Sequence, residues 1–95
     1  MKVVEAIGGA WSDNANAWES EVVELTGDAY LEVELPQKGR LVIKKAEEVT
    51  GPYPKVLITR WGGTSFRIRI RGTTKGRFIK VCLTVTPTSI QIVNI

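Results

Sequence analysis

The chain has 95 residues, 43% hydrophobic and 24% charged, which is the composition of one globular domain rather than of a disordered segment. It has no histidine and one cysteine, Cys82, which excludes an internal disulfide, histidine-dependent catalysis and the common zinc sites. No apolar run reaches the roughly 18–20 residues of a membrane-spanning helix, and the first residues lack the apolar segment of a secretory signal. We therefore expect a soluble protein of the cytoplasm or of a virion, with Cys82 buried and unreactive.

The charges are unevenly distributed along the chain. The segment through Gln37 carries eight acids and one base, a net charge of −7, whereas the segment from Lys38 onward carries twelve bases and two acids, a net charge of +10. Such asymmetry is typical of a nucleic-acid or membrane surface, but it also arises when acidic strands lie beside basic ones in a folded sheet. The second interpretation is favoured here.

Hydrophobic residues recur with a period of two, the pattern of half-buried β-strands. The clearest example is the run in which Arg67, Arg69 and Arg71 alternate with apolar residues. The pattern predicts about eight short strands, at Lys2–Ala6, Trp18–Leu25, Ala29–Leu35, Leu41–Lys45, Lys55–Arg60, Phe66–Arg71, Phe78–Val85 and Ser89–Ile95.

Turn signals separate these runs at the spacing expected of a sandwich or barrel. They lie at Thr26–Asp28, Pro36–Gly39, Thr50–Pro54, Trp61–Thr64 and Gly72–Gly76. Connections this short require antiparallel pairing. The predicted fold is a single antiparallel β-sandwich over residues 1–95, jelly-roll or immunoglobulin-like, with a closed barrel as the alternative and at most one short helix at Lys44–Thr50.

No arrangement of residues predicts catalysis, a metal site or a cofactor. Neighbouring carboxylates such as Glu32 and Glu34 are most simply solvated side chains on one strand face. The loop Asp13–Asn16 offers oxygen ligands but lacks the regular calcium-loop spacing, and Asx turns explain it better. We therefore predict that the protein is not an enzyme.

Two groups of residues favour binding. The first is a candidate interaction face of Arg67, Arg69 and Arg71 with Glu32 and Glu34. Three arginines on one strand face repel each other unless an anion lies opposite. The acidic strand of the same chain, an acidic face of another copy and a phosphate backbone are the three alternatives.

The second group consists of three aromatic residues, Trp61, Tyr53 and Trp11, which lie at or near loops and could stack on a ligand. With the loop Asp13–Asn16 they would form the site of a carbohydrate-binding module. A single-stranded nucleic-acid binder on an OB-like barrel would instead combine stacking rings with a basic groove. Its residues would be Arg67, Arg69, Arg71, Lys80, Trp61 and Phe78.

Three stretches of the chain, Thr26–Leu35, Gly39–Ile43 and Phe66–Gly76, carry a pattern of strands and turns that resembles small β-sandwich domains of bacteriophage virion and appendage proteins. The resemblance covers about half of the chain and brings no catalytic residues with it. It implies a virion component that binds its own copies or neighbouring proteins. The prediction is thus a non-catalytic structural or interaction domain whose partner is a protein, most simply its own copies. Carbohydrate and then nucleic acid follow as alternatives, and no membrane is involved.

Overall fold

The computed structural model describes residues 3–25, 27–46, 55–71 and 78–94. These residues form eight β-strands and no helix, so none of them belongs to a helix that could span a membrane. The strands are β1 Val3–Ala6, β2 Gly9–Ser12, β3 Ala17–Ser20, β4 Val23–Glu24, β5 Ala29–Ala46, β6 Lys55–Ile70, β7 Phe78–Leu83 and β8 Ser89–Asn94. Their pairings are antiparallel, which confirms the all-β, antiparallel prediction.

Two strands are much longer than predicted, because the expected turns at Pro36–Gly39 and Trp61–Thr64 lie inside β5 and β6. The two strands pair with each other along nearly their whole length. Between the pairs Glu34–Ser65 and Gly39–Gly63, residues 35–38 stand against Thr64 alone. Such a bulge bends a strand without ending it. Gly62, with a φ of 70°, supplies the backbone conformation that the bend requires.

The bend divides one continuous sheet into two parts. Residues 29–34 of β5 lie between β6 and β8, and β1 flanks β8; we call this part the β8 wing. Residues 41–45 of β5 lie between β6 and β7, with β3, β2 and β4 beyond; we call this part the β7 wing. A sandwich of two separate sheets is not confirmed, since the sheet curls into half a barrel.

The inner faces of the two wings share one hydrophobic core. Leu31, Val33 and Ile92 enter it from the β8 wing, and Leu41 and Ile43 enter it from the β7 wing. Each of these side chains follows the period of two seen in the sequence. The Cα radius of gyration is 12.3 Å, which is what a compact domain of this length should have.

The region predicted as one strand over Trp18–Leu25 is divided into β3 and β4, and β2 before it was not predicted. The loop Asp13–Asn16 closes the β2–β3 hairpin, and Asn16 has a left-handed φ of 52°, which asparagine tolerates better than most residues. The chain leaves the β3–β7 ladder at the buried Ser20. Its hydroxyl accepts a hydrogen bond from the Val81 N–H at 2.8 Å and donates one to the Glu21 carbonyl at 2.9 Å.

Several predicted features fall outside the described residues: Gly72–Gly76, residues 50–54 with Tyr53, and the first residue of Thr26–Asp28. The alternative of a short helix at Lys44–Thr50 is wrong for its first part. Residues 44–46 belong to β5, where Lys44 and Lys45 pair with both β6 and β7 and Ala46 pairs with β7.

Gly9 provides a test of the β2–β3 packing. A Cβ at this position would overlap the indole ring of Trp18 and lie 2.5 Å from the Glu19 carbonyl oxygen. Because the buried Trp18 cannot move without disturbing the core, we expect Gly9→Ala to lower the free energy of unfolding by about 1–3 kcal/mol in urea titrations. Gly27→Ala is the matched control, since nothing lies within 4 Å of its Cβ position. Equal stabilities of the two variants would contradict this packing.

Candidate functional site

The outer face of the β8 wing carries most of the predicted arginine face. The registers place Glu32 between Arg67 on β6 and Gln91 on β8. Arg67 Nε lies 3.3 Å from one carboxylate oxygen of Glu32, and Gln91 donates a 2.7 Å hydrogen bond to the other. The guanidinium of Arg67 also covers the ring of Tyr30, 4.2 Å from its centroid.

Two further residues of this face, Arg69 and Glu34, also have partners inside the chain. Arg69 forms a 3.0 Å salt bridge with Asp28, an acid that was not among the predicted site residues. Glu34 accepts a 2.9 Å hydrogen bond from the Ser65 hydroxyl rather than from an arginine. Arg71 is exposed and makes no ion pair with any residue in the described ranges.

The structure therefore brings Arg67 and Arg69 together with acids of the same chain. Both ion pairs are largely exposed to solvent, so each contributes little to stability. Their main consequence is electrostatic, since paired guanidinium groups attract an outside anion less than unpaired ones.

A second site lies on the outer face of the β7 wing. A groove with a volume of about 400 Å³ is lined by Glu19 of β3, Arg40, Val42 and Lys44 of β5, Trp61 of β6 and Cys82 of β7, among others. We call it the Trp61 groove. Val42 is buried although it lies outside the core cluster, because the groove side chains cover it.

Trp61 is the most exposed large hydrophobic side chain among the described residues, at 72%. The guanidinium carbon of Arg40 lies 4.9 Å from its ring centroid, which is a cation–π contact. Trp61 is thus exposed enough to stack on a ligand, and the stacking role itself stays a prediction. Trp11, at 45% exposure, lines a different recess at the β2–β3 hairpin, and Tyr53 lies outside the described residues.

Cys82 lies in the wall of the groove and is half-buried. Burial raises the pKa of its thiol, and Glu19 adds to this shift, whereas the positive charges of Lys44, Lys80 and Arg40 oppose it. A raised pKa disfavours the thiolate at neutral pH. The prediction of a buried thiol is wrong, because Cys82 lies on the outer face of β7 rather than in the core. Three cations and one anion thus lie near Cys82, and Arg40, Lys44 and Glu19 among them line the groove.

Arg40 and Lys44 were not singled out from the sequence, although they are central to this groove. Both lie about 20 residues before Trp61 in a segment where charges alternate irregularly. Only the pairing of β5 with β6 brings Arg40 beside that ring and Lys44 beside Val56 in the same groove. Lys80 was predicted as part of a basic groove, and it pairs directly with Lys44 across β5 and β7.

No metal centre is evident in the part of the chain that the structure describes, where no three cysteine or acidic side chains cluster. The turn Asp13–Asn16 is explained by local hydrogen bonds. The Asn16 N–H bonds to the Asp13 carbonyl at 3.3 Å, and the Ala15 N–H bonds to the Ser12 hydroxyl at 3.3 Å. Comparisons with protein-family models, with curated proteins and with solved structures find no match to the chain.

The ion pair between Arg67 and Glu32 can be measured by a double-mutant cycle of Arg67→Ala and Glu32→Ala. We expect a coupling energy of about 0.2–1 kcal/mol, because the pair is exposed, and a smaller value at high salt. Arg71→Ala combined with Glu32→Ala is the control, and its coupling should be near zero. A coupling between Arg67 and Glu32 that is no larger than this control would show that the ion pair does not form in solution.

Proposed function

We propose that the protein is a non-catalytic structural or interaction domain that assembles with copies of itself, in the manner of a virion or appendage component. The observation that carries this proposal is the open edge of β6. This strand has 16 residues and, within the described residues, pairs with β5 alone. The virion setting depends only on the resemblance of the strand pattern to phage β-domains.

An open strand edge is a binding surface in itself. About half of its backbone N–H and C=O groups point away from the neighbouring strand, and another extended strand can pair with them. The two most exposed large hydrophobic side chains on β6, Val56 and Trp61, would give such a contact apolar area in addition to backbone hydrogen bonds.

The charges of the chain fit this mode of assembly better than a charge-driven one. Arg67 and Arg69 are paired with Glu32 and Asp28 inside the chain, so they do not need an acidic face on another copy. Assembly along the edge should therefore depend only weakly on salt. The absence of histidine and the lack of a predicted catalytic arrangement support a role in binding rather than in chemistry.

A carbohydrate-binding module stays the second candidate, and the exposure of Trp61 favours it. Its predicted aromatic platform is weaker than expected, however, because Trp61 and Trp11 line separate recesses. A sugar would thus stack on Trp61 alone among the described rings of that platform.

The proposal is tested with two single variants, Thr59→Pro and Arg60→Pro, which place a proline at neighbouring positions in a regularly paired part of β6. Alternate residues of an edge strand direct their N–H groups toward the partner strand and away from it. One proline therefore removes a β5–β6 hydrogen bond, while the other only blocks the outer edge. Light scattering and circular dichroism would be measured for both variants and for the native chain.

We expect a native oligomer whose mass changes little with salt, and one proline variant that is folded but monomeric. The other variant should lose thermal stability. The proposal would be overturned if the native chain is a monomer at high protein concentration. It would also be overturned if both proline variants fold and still form the native oligomer.

A further inference from the structure

The Trp61 groove brings an exposed aromatic ring together with two cations, Arg40 and Lys44. Neither Arg40 nor Lys44 makes a salt bridge within the described residues, in contrast to Arg67 and Arg69 on the β8 wing. The groove opens on the face of the sheet, although Val56 and Trp61 of the β6 edge strand contribute to its lining.

The cations of the groove form a line rather than a point. Arg40 and Lys44 are four residues apart on β5, which corresponds to about 13 Å along a strand. Lys80 lies beside Lys44 on β7 but lines the neighbouring Trp11 recess rather than the groove. A single carboxylate would meet only one of the two groove charges, whereas a polyanion would meet both. Glu19, the one acid of the groove, leaves this arrangement with an excess of positive charge.

Trp61 supplies the second element of the site. Its side chain is 72% exposed, and Arg40 covers only part of the ring. An indole so placed offers a flat apolar surface to a base, and stacking of this kind tolerates any base sequence. A groove of about 400 Å³ is at the small end of ligand sites, so it accommodates an unpaired base with its phosphate rather than a stacked duplex.

From this geometry we propose that the Trp61 groove binds a segment of single-stranded nucleic acid, with a base on Trp61 and the phosphates along Arg40 and Lys44. This inference moves the nucleic-acid site from the arginine-rich strand of the β8 wing to the outer face of the β7 wing. It does not depend on self-assembly, since a monomer presents the same groove.

The test is a fluorescence-anisotropy titration of the full chain with a labelled oligothymidylate of about 12 nucleotides. We expect saturable binding at about 50 mM salt that weakens at about 200 mM salt, because phosphate contacts release counterions. Trp61→Ala should weaken binding about tenfold or more, as the loss of base stacking does. Trp11→Ala, which removes an exposed ring outside the groove, is the matched control and should change affinity less than about twofold.

A second pair of variants keeps the test valid if Trp61→Ala does not fold. Lys44→Ala and Arg71→Ala each remove one positive charge, so they alter the net charge equally. Lys44→Ala should reduce the slope of log affinity against log salt by about 0.7, the value for one phosphate contact on a single strand. Arg71→Ala should leave that slope unchanged.

Cys82 provides a readout that does not depend on affinity. Since burial raises the pKa of its thiol, alkylation would be followed at about pH 9, where more thiolate is present. Saturating oligothymidylate should slow alkylation severalfold by covering the groove.

Four outcomes would overturn the proposal. They are an absence of saturable binding at low salt, equal losses for Lys44→Ala and Arg71→Ala, unchanged alkylation of Cys82, and displacement of the oligothymidylate by a neutral oligosaccharide. The last outcome would instead assign the groove to carbohydrate.

Discussion

The pairing of β5 with β6 across a shared bend is the constraint on which the rest of the structure depends. The bulge at residues 35–38 and the left-handed Gly62 allow both strands to change direction while they stay hydrogen-bonded to each other. Because each half of β5 then acquires a different second neighbour, β8 or β7, one sheet presents two inner faces to a single core. The outer faces of the two wings also differ, because the different strand neighbours bring different charged side chains together.

This difference explains why the two basic regions of the chain have different properties. On the β8 wing the register places the acidic half of β5 opposite the basic half of β6, so Glu32 meets Arg67. Beyond the bend, β5 itself becomes basic, and its Lys44 lies between Val56 of β6 and Lys80 of β7. Positive charge therefore accumulates on the β7 wing, although most of the arginines lie on the other one.

Much of this architecture could be predicted from the sequence, because alternation of apolar residues depends only on local geometry. The core residues of β5, β7 and β8 follow from it directly. The bend could not be predicted, because proline and glycine, found here at Pro36 and Gly62–Gly63, also end strands. They lie inside strands here because β5 and β6 pair with each other on both sides of the bend. The sequence predicted that Arg67 and Arg69 lie on one face with Glu32, but it did not indicate Asp28 as the partner of Arg69. The Trp61 groove was predicted only in its ring, because Arg40 and Lys44 reach the groove through the long-range pairing of β5 with β6.

The long β5–β6 ribbon also sets the order in which the chain can fold. Its pairs nearest Lys45 and Lys55 are close in sequence, so their loop-closure entropy is small, and each later pair of the ribbon extends from one already formed. The pairing of β1 with β8 joins residues from nearly opposite ends of the described chain and has no such local start. The ribbon is thus the natural nucleus, and the β1–β8 ladder, whose residues are most distant along the chain, closes the domain slowly and late.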